Sequence, residues 1–141
     1  MNAYARSADT YLTQRILNAS PEQQAGLIME AGQLHLGRAI QALTRDDVAA
    51  AANSFLRVSE VIAEATIRLD LEAGGEAAQS LKKLYDFWAG EIMVASYAKD
   101  TARLTGVMQG MGEIRQAWDQ LHEKKTGAAA ASSFQLGDQI V

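Results

Sequence analysis

The stretch from Leu69 to Trp88, LDLEAGGEAAQSLKKLYDFW, separates two long helical patterns and contains the only double glycine in the chain. Glycine adopts positive φ values at little cost, so Gly74-Gly75 can end one helix and turn the chain. After this turn, apolar residues recur at the spacing of a helix with one buried stripe: Ala77, Leu81, Leu84 and Trp88. The stretch therefore predicts an antiparallel pair of helices joined by a short turn.

Two long helices are predicted before this hairpin. Ser20 is a preferred N-cap, Pro21 suits the first helical position, and Gln23 completes a capping box. The first helix should run from Pro21 to about Leu43, with an apolar face made of Leu27, Ala31 and Leu34, widened by Ile28, Leu36, Ile40 and Leu43. The second should follow an aspartate cap and run from about Val48 to Leu71, with a core face made of Val48, Ala51, Phe55, Val58, Ile62 and Leu69.

Two further helices follow the double glycine. The third is predicted from about Glu76 to Ala98, and the fourth begins after Asp100 and runs to about Glu123. The fourth carries the most regular apolar stripe: Leu104, Val107, Met111, Ile114, Trp118 and Leu121. Short connections between helices of similar length favour antiparallel neighbours. The sequence therefore predicts an all-α protein, an antiparallel up-down four-helix bundle.

We assign the bundle to residues 20–124, with an extra N-terminal segment at residues 1–19 and a C-terminal tail at residues 125–141. Apolar residues in the N-terminal segment are too scattered to predict a helix. The tail opens with Gly127 and four alanines. Three conformations are open to it: a mobile chain, a further helical turn, or a segment that folds back through Phe134 and Leu136.

Composition narrows the functional class. The 141-residue chain has no cysteine, so it has no disulfide, thiolate metal ligand or thiol nucleophile. A net charge of −4 and basic runs no longer than two residues disfavour nucleic-acid binding. The sequence shows neither a signal peptide nor an apolar segment of membrane-spanning length. We therefore predict a cytoplasmic protein that is not inserted into a membrane.

Catalytic and metal-binding patterns are missing from the sequence. Neither His35 nor His122 follows a glutamate by three residues, as the histidines of carboxylate-bridged metal bundles do. No glycine-rich phosphate loop follows a strand, and no serine, histidine and acid share a recognisable spacing. We expect no enzymatic activity, no metal and no cofactor.

Several helices carry a second apolar stripe beside the one that the bundle core requires. These offset positions, taken as candidate partner contacts, are Leu56, Ala63, Ile67, Tyr85, Met93, Tyr97 and Met108. One interpretation is a wide core, or a surface covered by the N-terminal segment or the tail. The other is a groove that accepts amphipathic helices of a partner, where flexible methionines adapt to the incoming surface.

Three segments place the chain near a known family. They are Asn18-Ala19-Ser20-Pro21, the stretch 69–76 together with Leu84-Tyr85-Asp86-Phe87, and Lys99-Asp100 with Arg115-Gln116-Ala117-Trp118. In this order they resemble the entry to the first helix, the central signature and the last helix of the FliS-type flagellar export chaperones. The resemblance spans about residues 16–121.

The resemblance implies a cytosolic chaperone whose client is the C-terminal segment of flagellin, which is disordered before assembly. Family members hold this segment along the outside of the bundle and prevent premature polymerisation. They then deliver the client to the type III export apparatus, where the cytosolic domain of the export gate receives it. In the family the N-terminal segment can cover part of the groove. Here we assign that plug to Tyr4, Tyr11, Ile16 and Leu17.

The chain also departs from the family pattern. Relatives usually carry a Leu-Tyr-Asp-Gly-Ala-like run where this chain has residues 28–32, and paired arginines where it has Ala89-Gly90-Glu91. A FliS-like adaptor or regulator that binds a different flagellar protein is therefore the alternative function. A metal-dependent bundle enzyme is the third. The exposed stripes would also allow two copies of the chain to pair when the client is absent.

Overall fold

The computed structural model describes the backbone of residues 3–140 and the side chains of residues 7, 9–11, 13–15 and 17–127. Within residues 3–140 the chain forms five α-helices and no strand. The helices are α1 (Ala3–Leu17), α2 (Pro21–Thr44), α3 (Val48–Ile67), α4 (Gly75–Ala98) and α5 (Thr101–Ile140). The predicted all-α fold class is confirmed.

The predicted capping box fixes the N-terminus of α2. Ser20 Oγ accepts a hydrogen bond from the Gln23 backbone N–H at 3.2 Å, and the Ser20 N–H donates to Gln23 Oε1 at 3.1 Å. Pro21 occupies the first helical turn, where its missing N–H leaves no hydrogen bond unmade. The local sequence signal therefore starts this helix at the predicted residue.

The double glycine makes the turn between α3 and α4, as predicted. Gly75 has a φ of +57°, which glycine adopts without steric strain. Asp70 Oδ1 accepts hydrogen bonds from the backbone N–H groups of Glu72 and Ala73, at 3.2 and 3.0 Å. Because this turn begins early, α3 ends at Ile67, before the predicted end at Leu71.

Aspartates begin the other two core helices. The Ala50 backbone N–H donates to Asp47 Oδ1 at 3.1 Å, which caps α3. The Arg103 backbone N–H donates to Asp100 Oδ1 at 3.2 Å at the start of α5. Lys99 between α4 and α5 has a φ of +55°, so the chain reverses direction within two residues.

Helices α2 to α5 form a closed ring of antiparallel neighbours in chain order, with α2 packed against both α3 and α5. Side chains fix the directions. Arg68 at the end of α3 donates to Gln24 near the start of α2 at 2.9 Å. Gln33 of α2 donates to the carbonyl of Met108 in α5 at 3.3 Å. The predicted antiparallel four-helix bundle is confirmed.

The core lies along the axis of this ring and is almost entirely apolar. Its largest fully buried side chains are Met29, Leu36, Val58, Leu104 and Met111. Other members are Ile28, Ile62, Tyr85, Trp88, Ile92 and Val107. Leu27 and Leu34, predicted on the core stripe of α2, are only half-buried. The inner face of α2 is therefore centred about one residue later along the sequence than the predicted stripe.

Glycines allow α2 and α5 to pack closely. A Cβ added at Gly32 would lie 2.9 Å from the Met111 sulfur, and one added at Gly112 would lie 2.8 Å from Gln33 Nε2. Both distances are shorter than normal contacts, so the neighbouring side chain would have to move. Met111 is fully buried and has little room to do so, whereas the half-buried Gln33 can shift. Gly32 therefore serves the close packing of α2 and α5.

The N-terminal segment forms α1, a helix that the sequence did not predict. Within the described residues α1 contacts α2 and no other helix. Asp9 pairs with Arg38 at 3.4 Å, and Arg15 pairs with Glu30 at 3.5 Å, so α1 runs antiparallel to α2. Partly exposed pairs of this kind contribute at most about 1 kcal/mol each.

Helix α5 continues to Ile140, past the predicted end near Glu123. Four consecutive alanines begin at Ala128, and alanine has the highest helix propensity. The predicted return of the tail through Phe134 and Leu136 concerns side chains outside the described residues. Among the described residues, no helix combines the length and the hydrophobicity that a membrane span requires.

Candidate functional site

Exposed apolar side chains are concentrated on α3 and α4. Tyr97 is 95% exposed, Ile67 76% and Met93 74%, although each is a large apolar or aromatic residue. We define the α3–α4 face as the exposed apolar positions on the outer side of these two helices: Val48, Ala52, Leu56, Ala63, Ile67, Met93 and Tyr97. A contiguous surface of this kind is typical of a binding site.

Helical periodicity explains why these residues share one surface. Leu56, Ala63 and Ile67 are spaced by seven and four residues, so they lie in a line along α3. The buried residues of α3, such as Val58 and Ile62, occupy its other side. Met93 and Tyr97 are four residues apart on α4 and form one line in the same way. The bundle buries one stripe of each helix and leaves the second exposed.

A shallow apolar groove lies at one end of this face. It is a cavity of about 730 Å³ between the first half of α3 and the last turns of α4, with Ser96 and Lys99 as its polar lining. Its apolar lining includes Val48, Ala52, Phe55, Met93 and Tyr97. Among neighbouring helices of the bundle, α3 and α4 make the least extensive contact. The groove therefore forms where two helices separate, and it can accept apolar side chains of another chain.

Charged groups lie beside the groove. Lys82 and Asp86 form an ion pair at 2.8 Å on the surface of α4, two turns before Met93. On the α5 side of α4, Glu91 pairs with Arg103, whose hydrogen bond lowers the pKa of the Glu91 carboxyl. These pairs keep the surrounding surface hydrated, whereas the groove itself offers few polar partners.

The structure places five of the seven predicted contact residues on the surface. Leu56, Ala63, Ile67, Met93 and Tyr97 are all exposed and belong to the α3–α4 face.

Two of the predicted surface positions are wrong. Tyr85 is only 2% exposed and stacks in the core with its ring centroid 5.5 Å from that of Trp88. Burial raises the pKa of the Tyr85 hydroxyl. Met108 is half-buried and packs against the core, where its sulfur would lie 3.7 Å from a Cβ at Gly37. Tyr85 therefore faces the core, whereas Met108 lies at its edge and is partly exposed.

Sequence reasoning also missed exposed members of this surface. Val48 was predicted to lie in the core but is 71% exposed, because it begins α3 at the open end of the groove. Phe87 and Val94 are also exposed on α4, outside the α3–α4 face as defined, and were not predicted as contacts. The sequence did contain a signal for the exposure of Val48. This residue directly follows the Asp47 cap, at a helix start where packing is incomplete.

The predicted plug of Tyr4, Tyr11, Ile16 and Leu17 stays a prediction. The side chains of Tyr4 and Ile16 lie outside the described residues. Tyr11 and Leu17 are each 67% exposed. Their helix α1 rests on α2, which is diagonal to α4 in the ring. In this arrangement the α3–α4 face is open.

The described residues show no arrangement for metal chemistry. Among them, no group of three or more histidine, aspartate or glutamate side chains could hold a metal ion. His122 Nδ1 lies 3.2 Å from Ser20 Oγ, and His35 is half-buried between α2 and α3. The α3–α4 face is therefore the strongest candidate for a functional site.

Comparison with known proteins gives a consistent result. Residues 3–125 match the family model described as flagellar protein FliS. The chain is 26% identical over 113 residues to the flagellar secretion chaperone FliS of Vibrio cholerae, covering 80% of this chain and 83% of that protein. It is 25% identical over 119 residues to flagellar secretion chaperone FliSB of Pseudomonas aeruginosa, covering 84% and 94%. It is 28% identical over 110 residues to the flagellar secretion chaperone FliS of Salmonella typhimurium, covering 77% and 82%.

Proposed function

The chain belongs to the flagellar protein FliS family, and we propose that it is a cytosolic flagellar secretion chaperone whose client is the C-terminal segment of flagellin. The client binds on the α3–α4 face. This client assignment rests on the family likeness together with one structural observation, the exposed apolar groove between α3 and α4.

The physical basis of binding is the burial of apolar surface by a segment that folds on the chaperone. Burying a large apolar side chain contributes about 1.5–3 kcal/mol. A disordered segment loses conformational entropy when it binds, so several such contacts are needed. Met93 and Tyr97 on α4, with Val48 and Leu56 on α3, offer enough exposed apolar surface to supply them. No covalent step or cofactor is required.

Holding the client in this way has a direct consequence for flagellar assembly. The apolar surface of the flagellin segment that would pair with other subunits is buried against the chaperone, so premature polymerisation is prevented. The loaded chaperone then brings flagellin to the cytosolic domain of the type III export gate. The open α3–α4 face and the shallow groove suit a client that must later be released.

The proposal is tested by calorimetric titration with the C-terminal peptide of flagellin from the same organism. We expect saturable one-to-one binding with a negative heat-capacity change, the signature of buried apolar surface. The Tyr97→Asp variant should weaken binding at least about tenfold, because the loss of one well-buried side chain exceeds 1.4 kcal/mol. Since Tyr97 is 95% exposed, the melting temperature should stay nearly unchanged.

Gln116→Asp is the matched control, since it adds the same charge at an exposed position on α5. Equal binding by Tyr97→Asp and Gln116→Asp would remove the α3–α4 face from the proposal. Absence of flagellin binding, together with binding to another flagellar protein, would replace the client with the partner of a FliS-like adaptor or regulator.

A further inference from the structure

A second cavity lies on the other side of α3 from the α3–α4 face. It has a volume of about 480 Å³ and is enclosed by α1, α2, the start of α3 and the α2–α3 turn. We call it the arginine pocket, and its polar lining includes Asp9, His35, Arg38, Arg45, Asn53 and Arg57. The proposed flagellin site does not use these residues.

The charge of this pocket is opposite to that of the whole chain. The chain carries a net charge of −4, with 17 acidic and 13 basic residues. The lining of the pocket contains three arginines and one carboxylate, that of Asp9. A concave surface with several guanidinium groups attracts anionic partners and raises their local concentration. Within the lining, guanidinium groups outnumber carboxylates, which favours a negatively charged ligand that competes with the present partners Asp9, Asp47 and Glu60.

The three arginines are held by weak ion pairs. Arg38 pairs with Asp9 at 3.4 Å, Arg45 with Asp47 at 3.7 Å, and Arg57 with Glu60 at 3.0 Å. Five of the six side chains are 29–55% exposed, and the sixth, that of Arg45, is 58% exposed. Pairs of this exposure contribute at most about 1 kcal/mol each. The guanidinium groups can therefore exchange their present carboxylates for those of a ligand at small cost.

Neutral hydrogen-bonding groups complete the pocket. Asn53 and Ser54 lie on the α3 wall and can donate to anionic oxygens. His35 is half-buried, and burial lowers its pKa; Asp9 and Glu60 raise it, whereas Arg38 and Arg57 lower it. Arg38 and Arg57 both line the cavity together with His35, so their guanidinium groups lie around one space.

We propose that the arginine pocket is a second protein-binding site, which takes an acidic segment of a partner that presents at least two carboxylates. The structure itself shows the mode of recognition, because Asp9 presents a carboxylate from a helix to Arg38. Arg45 and Arg57 have carboxylate partners only two or three residues away in sequence. A partner that offers spaced carboxylates can engage Arg38, Arg45 and Arg57 together, which no single residue of this chain does. Arginine is suited to this role because its planar fork matches carboxylate geometry.

This assignment makes Asp9 a competitor of the partner. An incoming segment must displace the Asp9 carboxylate, which lies near the middle of α1, from Arg38. Binding at the arginine pocket should therefore loosen α1 from α2. Substituting Asp9→Asn removes the competing charge while leaving the length of the side chain unchanged.

The experiment is fluorescence anisotropy with the full-length protein and a fluorescein-labelled hexaglutamate peptide at low ionic strength. We expect saturable, salt-dependent binding. Arg45→Gln and Arg57→Gln should each weaken it about tenfold, since hydrogen bonds to charged groups are among the strongest. Asp9→Asn should tighten it. Arg103→Gln is the matched control, because Arg103 is an exposed, ion-paired arginine on the far side of the bundle. Circular dichroism checks that each variant folds.

Three results would overturn the proposal. One is no saturable peptide binding, and another is an equal loss in Arg45→Gln, Arg57→Gln and Arg103→Gln. The third is full displacement of the peptide by inorganic phosphate at concentrations where chloride of equal ionic strength has no effect, which would make the pocket a site for small anions. Because no flagellin is present, none of these outcomes bears on the proposed chaperone function.

Discussion

The α2–α5 and α3–α4 helix pairs of this bundle pack in opposite ways. Helices α2 and α5 approach closely at Gly32, and Gln33 donates a hydrogen bond to the opposite backbone. Helices α3 and α4 make the least extensive contact in the ring and leave Met93 and Tyr97 exposed. Both pairs have the same antiparallel geometry. The comparison shows that one pair can hold the bundle together while the other presents apolar surface.

Small residues explain the close contact of α2 and α5. A small residue lets two helix backbones approach, so that each helix buries the other's apolar stripe. The exposed stripe of α3 and α4 carries large side chains instead, such as Leu56 and Tyr97, which no neighbouring helix covers. A bundle with four close interfaces would leave no such groove. The surface proposed to bind the client therefore depends on one incomplete interface.

The largest expected effect is on the free energy of unfolding, and it compares a core residue with a residue of the α3–α4 face. Leu36 of α2 is fully buried, whereas Leu56 of α3 is 56% exposed. Leu36→Ala should lower the free energy of unfolding by about 2–5 kcal/mol, because it removes buried methyl groups and leaves a cavity. Leu56→Ala should change it by less than about 0.5 kcal/mol, as surface substitutions usually do. Urea denaturation of the two variants measures both. Similar losses would mean that the α3–α4 face is part of the core.

Much of the fold was predictable because its signals are local. The caps at Ser20 and Asp47 and the turn at Gly75 depend on residues within a few positions of each other. Each signal acts through a backbone hydrogen bond or a φ value, so it can be read without knowing the neighbouring helices. The number, direction and starting points of the bundle helices followed from these signals.

The orientation of α4 was less predictable because it depends on a distant residue. Tyr85 and Trp88 both fit apolar stripes, and sequence spacing alone does not say which stripe faces inward. The ring of Trp88 lies 3.1 Å from where a Cβ at Gly110 would be, so the small residue on α5 accommodates it. This pairing turns Tyr85 into the core as well. Helix α1 was missed for a similar reason, since the contacts described for it include ion pairs to α2.

The next prediction compares two helical glycines. A Cβ at Gly32 would lie 2.9 Å from the Met111 sulfur and 3.4 Å from Val61 Cγ1, whereas Gly90 on α4 has nothing within 4 Å. Gly32→Leu should therefore destabilise the protein by about 1–3 kcal/mol through overpacking. Gly90→Leu should stabilise it by up to about 1 kcal/mol, because leucine is a better helix former than glycine.

Thermal unfolding of the two glycine variants gives the answer, and opposite shifts in Tm are expected. If Gly32→Leu is tolerated without loss, α2 and α5 are not constrained by close packing and the comparison between the two helix pairs fails. If Gly90→Leu is as damaging as Gly32→Leu, the outer side of α4 is packed against something in solution, such as a second copy of the chain.

The smallest expected effect is a pH dependence of stability. It arises at His35 on the α2 side of the bundle and not at the α3–α4 face. Burial lowers the pKa of His35 from its usual value of 6.5, and Arg38 and Arg57 lower it further, while Asp9 and Glu60 oppose them. The unfolded chain therefore binds a proton at His35 more readily than the folded chain does. Stability rises with pH wherever the unfolded state binds more protons. The contribution of His35 is thus fully present above pH 6.5 and is lost as pH falls from there toward the lowered folded pKa.

Urea denaturation in steps between about pH 7.5 and pH 5 should show this loss in the native protein, in the window where histidines titrate. His35→Gln should flatten the slope, and the control His122→Gln should retain it because His35 is still present. If His35→Gln leaves the slope of stability against pH unchanged, another group causes the pH dependence. The burial of His35 on the α2 side would then have no effect on stability.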